Sequence, residues 1–278
     1  MIRIGTSGWV YPPWRGVFYP KGLPQRRELE YLSRTVSSIE INGSFYSLQR
    51  PEYYEQWAAQ TPDDFVFAVK GSRFVTHLKR LRDIEIPLAN FFASGVLALR
   101  RKLGPILWQL PPNFQFDADV LRSFFAALPH TTTAAAALAR KHDERVDGRA
   151  WTKPGRRGPL RYAIEPRHPS FGSPEFVALA REYGIALVVA DSAGKFPYFE
   201  EDTSSIVYIR LHGDVELYAS GYTPTALDRW AAKVTQWSQR RDVYIYFDND
   251  MKVHAPFDAI DLAKRLDHPD GGPGRTNG

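Results

Sequence analysis

The chain has 278 residues, of which 44% are hydrophobic, 24% charged and 14% aromatic, so it has material for a sizeable core and is neither disordered nor fibrous. It lacks cysteine, which excludes disulfides, thiol nucleophiles and cysteine-ligated metal, and its formal charge is only +5. It has no apolar run of about 18 residues, and Met1-Ile2-Arg3-Ile4-Gly5 opens no secretory segment, so a cytoplasmic protein without membrane spans is expected.

Ile2–Ser7 reads as the first strand, and Leu23–Thr35 as a helix with Leu29 and Leu32 on its apolar side. Ser37–Asn42 is the second strand, followed by a helix over Glu52–Gln60 that Pro51 opens. Phe65–Lys70 is the third strand, and the helix Leu88–Leu103 is expected to stop at Gly104-Pro105. Ile106–Leu110 is the fourth strand, and Asp117 caps a helix over Ala118–Leu128. Arg161–Glu165 is the fifth strand, and the helix Pro174–Tyr183 lies between Ser173 and Gly184. Ala186–Asp191 and Ile206–Leu211 are the sixth and seventh strands, with little room for a full helix between them. A helix over Thr225–Gln239, the eighth strand Val243–Asp248 and a helix over Pro256–Leu266 complete the set. The glycine-rich tail, residues 267–278, is expected to be disordered.

Eight strand–helix units over residues 1–266 predict an α/β fold, a single-domain (β/α)8 TIM-type barrel, with a doubly wound open sheet as the alternative. Gly5-Thr6-Ser7-Gly8-Trp9 is no dinucleotide fingerprint, and neither a phosphate loop nor an HExxH motif is present.

The charge is concentrated. Arg140, Lys141, Arg145, Arg149, Lys153, Arg156, Arg157 and Arg161 face only Asp143, Glu144 and Asp147, so this window carries the whole +5 and the rest of the chain is neutral. Residues 130–160 are therefore expected as a basic, mobile insertion after the fourth strand. Nucleic acid is a candidate partner through Arg140–Arg161, by phosphate contact.

Barrel active sites lie at the C-terminal strand ends, and polar residues collect there. They are Glu40 and Asn42, Lys70, Gln109, Glu165 with Arg167 and His168, Asp191, Arg210 with His212, and Asp248 with Asn249. Buried charges at such positions are costly unless paired or used. Lys70, Arg167 and Arg210 suit an anion, and Glu165, Asp191, His212 and Asp248 suit acid–base work. The loops after the strands are aromatic, with Trp9, Tyr11, Trp14, Phe45, Tyr46, Tyr198, Tyr218 and Tyr222, and suit stacking on a sugar ring or base. No cofactor is expected: His77, His168, His212 and His254 lie near loop ends, but no spacing selects a divalent metal.

These segments resemble the DUF72 (YecE-like) family. The resemblance is carried by Gly5-Thr6-Ser7-Gly8-Trp9-Val10-Tyr11-Pro12-Pro13-Trp14, Glu40-Ile41-Asn42-Gly43-Ser44-Phe45-Tyr46, Lys70 with Thr76-His77, and Trp108-Gln109-Leu110-Pro111-Pro112. Glu165-Pro166-Arg167-His168, Ala190-Asp191-Ser192, Arg210-Leu211-His212-Gly213 and Phe247-Asp248-Asn249-Asp250 continue it to about residue 266. The resemblance implies a TIM-type barrel and supplies no activity. Two departures stand out: Pro166, where an aromatic or aliphatic residue is common, and Asp248, where Asn is common.

The leading expectation is an enzyme acting on a small anionic, phosphorylated, sugar-containing substrate by acid–base chemistry. Nucleic-acid binding or phosphodiester cleavage, and a non-catalytic ligand-binding barrel, are the alternatives. Substrate-binding candidates are Trp9, Asn42, Tyr46, Lys70, Gln109, Arg167, His168, Arg210 and Asn249.

Overall fold

The computed structural model describes residues 1–267. Eight parallel strands close into a barrel in sequence order: β1 (Ile2–Ser7), β2 (Ser38–Ile41), β3 (Val66–Lys70), β4 (Leu103–Gln109), β5 (Tyr162–Glu165), β6 (Ala186–Asp191), β7 (Ile206–Leu211) and β8 (Asp242–Phe247). Closure is made by β1 on β8, in register from Ile2 opposite Val243 to Thr6 opposite Phe247. The helices α1 (Glu28–Leu32), α2 (Gly43–Tyr46), α3 (Pro51–Ala59), α4 (Glu85–Ala93), α5 (Ala118–Ala127), α6 (Thr132–Ala139), α7 (Pro174–Glu182), α8 (Pro224–Ser238) and α9 (His254–Asp267) surround it.

Period-two alternation divides each strand between two cores. Outward residues such as Ile39, Ile41, Val69, Ile106 and Ile209 pack under the helices. Inward residues Ala68, Leu107, Ala163, Ala186, Val188, Ala190, Tyr208, Tyr244 and Tyr246 fill the barrel. The alanines cluster on β3, β5 and β6, and the tyrosines on β7 and β8. Small side chains on one wall thus make room for large ones from the other, which is how a barrel of this size packs solid.

The expected helix Leu88–Leu103 is corrected. α4 ends at Ala93, a 3₁₀ stretch covers Val96–Lys102, and β4 already begins at Leu103. The break falls at Gly95, whose φ of 115° is closed to other residues and whose added Cβ would lie 2.5 Å from Pro51 Cα. Gly104-Pro105 is not a stop signal. It sits in β4, where the register runs from Phe67↔Leu103 to Val69↔Ile106, and this one-residue bulge accommodates the proline. The first expected helix also shortens: a 3₁₀ turn over Gln25–Arg27 precedes α1.

The 130–160 stretch, expected as a loose basic insertion, carries helix α6. Thr131 caps it by accepting from Ala134 N, and Ala135, Ala136 and Ala139 are buried where it packs on α4. An all-alanine face shows no hydrophobic periodicity yet allows close helix approach. Beyond it, Trp151 N donates to Ala93 O at 2.7 Å and Leu160 N to His130 O at 2.9 Å. Lys141 pairs with Glu85, Arg145 with Asp143 and Arg161 with Asp242, while Arg149 donates to Gln49 O. Those charges are thus tied into the shell. The tail expected to be disordered lies outside the described residues, apart from Asp267, which ends α9.

Gly95→Ala is expected to destabilise the fold by about 2–4 kcal/mol, since it adds both strain and a clash. Gly148→Ala, at φ 74° but with nothing within 4 Å, should cost only about 1 kcal/mol. Urea unfolding of both variants checks the ranking, and equal losses would overturn it.

Candidate active site at the C-terminal mouth

The inward residues that follow the apolar layer are charged. Arg210, at the end of β7, has no exposed surface, yet its guanidinium is fully satisfied. Nε donates to Glu40 Oε2 at 3.1 Å, Nη1 to Glu165 Oε2 at 2.8 Å, and Nη2 to Ser7 Oγ, Glu40 Oε1 and Asp248 Oδ2, each at 2.9 Å. Strands β1, β2, β5, β7 and β8 are thereby joined across the axis. The carboxylates have further donors. Tyr208 O–H donates to Glu40 Oε2 at 2.6 Å, Gln109 Nε2 to Glu165 Oε2 at 3.0 Å and Arg167 Nε to Glu165 Oε1 at 2.9 Å. Ser7 Oγ donates to Glu40 Oε1 and accepts from Asn42 Nδ2.

His212 is fully buried beside this cluster. Its Nδ1 lies 3.0 Å from Asp248 Oδ2, off the direction of a hydrogen bond, and its Nε2 lies 3.6 Å from Glu165 Oε1. The Asp248 side chain keeps 14% of its surface open, so the Asp248–His212 pair is the edge of the cluster that solvent reaches.

Burial alone would raise the Glu165 carboxyl, but Arg167, Arg210 and His212 outweigh it and hold it well below the usual range. Burial likewise opposes ionisation of Asp248, yet Arg210, His212 and Lys70 keep it far below its ordinary value. Asp250 is the opposite case. Burial, then the neighbouring Asp248 charge, push it up to about 6. Lys70 is brought down to about 8 by burial and then by Arg210. His77 is brought down to about 4 by burial, then Lys70 and nearby arginines.

The backbone that presents Lys70 is fixed. Ser44 Oγ donates to Lys70 O at 2.6 Å, and a Cβ on Gly71 would lie 2.2 Å from the Trp108 ring. The β3–α4 loop then forms a π-helical turn, Phe74–Leu78, which carries His77, followed by positive φ at Arg80, Leu81 and Asp83. Tyr218 also has positive φ (62°), and its hydroxyl accepts from Arg167 Nη2 at 3.3 Å.

Of the candidates read from sequence, Glu165, Arg210, His212, Asp248, Gln109, Asn42 and Arg167 come together. Lys70 tops the same interior column, in phase with Ala68. Asp191 does not join them. Ala186, Val188 and Ala190 hold the inward phase of β6, so Asp191 turns to the helix layer and accepts from Tyr222 O–H at 3.2 Å. Asn249 also lies out of phase and donates to Ser220 O and Asp258 Oδ2, tying the β7–α8 loop to α9. His168 caps the turn Pro169–Phe171 by accepting from Ser170 N. Trp9 packs edge-on against Trp57 at 5.3 Å, and Tyr46 is exposed at the rim. Ser7, Tyr208 and Asp250 were not selected as site residues from sequence, while Tyr11 and Tyr218 entered only as loop aromatics and His77 only as a loop-end histidine. Alternation could have found Tyr208, two residues before Arg210. Nothing periodic marks His77 or Asp250, which sit in irregular loops.

Among the described residues no group of three or more His, Asp or Glu is arranged to hold a metal ion, and no helix is long and apolar enough to cross a membrane.

Fold and site together define a (β/α)8 barrel with an ion cluster sealing its C-terminal mouth, the end where barrel active sites lie. The chain belongs to the DUF72 family, described as proteins of unknown function, whose profile matches residues 3–276. It is 24% identical to the UPF0759 protein YecE of Escherichia coli K12 over 92% of this chain and 89% of that one. A crystal structure of a DUF72 protein from Thermotoga maritima matches with TM-score 0.77 and 26% identity, covering 96% of this chain and 99% of the other. One from Enterococcus faecalis matches with TM-score 0.74 and 18% identity over the whole of both chains.

Removing Arg210 strands three carboxylates, so Arg210→Met is expected to cost at least about 3 kcal/mol. Lys70 carries the reverse sign. Its depressed value means the folded state binds fewer protons than the unfolded chain between about pH 8 and the ordinary lysine value of 10.5. Holding the charged lysine therefore destabilises the fold below about pH 8, and this penalty fades as pH rises toward 10.5. Lys70→Met is therefore expected to stabilise the protein at pH 7, by up to about 3 kcal/mol, with the gain fading toward pH 10.5. Denaturation midpoints across pH test this, and a neutral-pH loss for Lys70→Met would refute it.

Proposed function

We propose that this protein is an enzyme acting on a small anionic substrate at the barrel mouth by acid–base chemistry. The observation that carries the reading is the division of labour among the basic residues. Arg210 is saturated by Glu40, Glu165, Asp248 and Ser7, so it organises the floor and does not take a ligand anion. Among the described residues Arg167 keeps Nη1 without an acceptor, while its other nitrogens contact Glu165 and Tyr218. The Lys70 ammonium makes no hydrogen bond or ion pair among the described residues and lies 4.4 Å from the Phe45 ring centroid. These two cations therefore supply the attraction for a phosphate or carboxylate.

Proton transfer falls to groups at the open edge. Asp250, raised to about 6, is suited to exchange protons near neutral pH. The Asp248–His212 pair offers a second route, with the carboxylate 3.0 Å from the imidazole Nδ1. Asp191, considered from sequence, has no part in this reading because it faces the helix layer. The aromatic rings of Phe45, Phe196 and Tyr218 beside the cations suit a compact organic body attached to the anion.

Inorganic phosphate should raise the melting temperature of the wild type, with the effect reduced at least about fivefold in apparent affinity in Arg167→Gln. Turnover in a screen of small phosphorylated and carboxylated metabolites should fall by about 100-fold in Asp250→Asn. Absence of any stabilisation by phosphate, pyrophosphate or small carboxylates would overturn the reading.

A further inference from the structure

We propose that Lys70 is a nucleophile whose amine forms an iminium with a small aldehyde or ketone carrying an anionic group. This rests on the reading above and narrows its substrate class to carbonyl compounds.

The chain contains its own comparison. Lys102 is as buried as Lys70, at 5% exposure against 7%. Its ammonium donates to Ala58 O at 2.6 Å, Thr61 O at 2.8 Å and Thr61 Oγ1 at 3.1 Å, which uses all three hydrogens. That is how a buried structural lysine is accommodated here. Lys70 has no such acceptors. Three carboxylates share its end of the barrel, and five of their six oxygens are taken by Arg210, Arg167, Tyr208, Gln109 and Ser7; Asp248 Oδ1 is the sixth, and the Lys70 ammonium forms no ion pair with it. Its Nζ instead lies 4.4 Å from the Phe45 ring centroid. A lysine kept for charge balance would sit on a carboxylate. One kept unpaired, on a backbone clamped by Ser44 and Gly71, is positioned to react.

The surroundings favour the free amine. Burial and the Arg210 charge bring Lys70 down to about 8, so roughly a tenth of it is unprotonated at pH 7. His77 packs edge-on against Phe45 at 5.1 Å, on the same ring that Lys70 approaches. It stays neutral there and so adds no charge of its own beside the amine.

The step balances without any further reactant. The ammonium loses a proton to solvent or a mouth carboxylate, and the freed lone pair forms the N–C bond while the carbonyl π pair moves to oxygen. A proton returns to that oxygen, the nitrogen loses its second proton, that proton is passed to the hydroxyl, and the C–O bond breaks with release of water. The nitrogen lone pair closes the C=N bond. Ammonium and carbonyl thus give iminium and water, with no change of oxidation state. The substrate's anion falls to Arg167.

Pyridoxal 5′-phosphate, an aldehyde bearing a phosphate, is a suitable probe. Treated with it at pH 7.5 and then borohydride, the wild type should be labelled at Lys70 about 10-fold or more faster than at surface lysines such as Lys21, as peptide mass mapping would read. The labelling rate at Lys70 should rise with a midpoint near pH 8, Lys102 should stay unmodified, and Arg167→Gln should slow the reaction severalfold. Lys70 labelled no faster than Lys21 would overturn the proposal. If phosphate still stabilised the protein in that case, the anion-binding reading would stand without the iminium. Glycolaldehyde labelling Lys70 as fast as the phosphorylated aldehyde, with no phosphate stabilisation, would overturn both the anionic half of the proposal and the reading beneath it.

Discussion

A guanidinium with no exposed surface lies on the axis of this barrel, and the rest of the mouth depends on how it is held. Moving such an ion out of water costs several kcal/mol, and the attraction of a single carboxylate does not reliably return it. Arg210 meets the cost with Glu40, Glu165 and Asp248, brought in from β2, β5 and β8, and with the Ser7 hydroxyl from β1. Each partner needs the others. Remove Arg210 and three negative charges crowd one low-dielectric space; remove a carboxylate and the guanidinium loses an acceptor. The cluster therefore behaves as one polar layer, fully connected and rigid, laid over an apolar one.

The apolar layer makes that geometry possible. Alanines at positions 68, 163, 186 and 190 leave the volume that Tyr208 and Tyr246 occupy, with ring centroids 5.2 Å apart. Tyr208 then reaches upward to Glu40, and Tyr246 exchanges a hydrogen bond with Ser38. The tyrosines join the two layers, apolar along the ring and polar at the tip. What remains above is electrostatically uneven. The carboxylate oxygens other than Asp248 Oδ1 are taken within the floor, and the cations that do not belong to it, Arg167 in part and Lys70 entirely, keep unused donors.

Much of this was legible in the residues. Eight short aliphatic strands, alternation of period two and the rule that barrel sites lie at C-terminal strand ends sufficed to select Lys70, Glu165, Arg210, His212 and Asp248. Asp191 is the residue that alternation misplaces. A strand apolar on both faces carries no phase information, so an acidic residue at its end can be assigned to either side. Only the packed neighbours Ala186, Val188 and Ala190 fix which face is inward. The helix α6 was hidden for a related reason: alanine packs closely but gives no periodic contrast against its neighbours. The concentrated basic charge likewise told nothing of its partners, because Glu85 and Asp242 are distant in sequence.

The sequence by itself therefore determined the fold class, the end of the barrel that carries the polar residues and most of their identities, since these follow from short-range periodicity. The tertiary structure decided their roles. Which arginine is spent on carboxylates and which lysine is left without an acceptor depends on distances between strands far apart in the chain, and no local pattern encodes those. Lys70, Lys102 and Arg210 are all basic residues at the edges of apolar segments. One is satisfied by carbonyl and hydroxyl oxygens, one by carboxylates and one by neither, and that difference exists only once the barrel has closed.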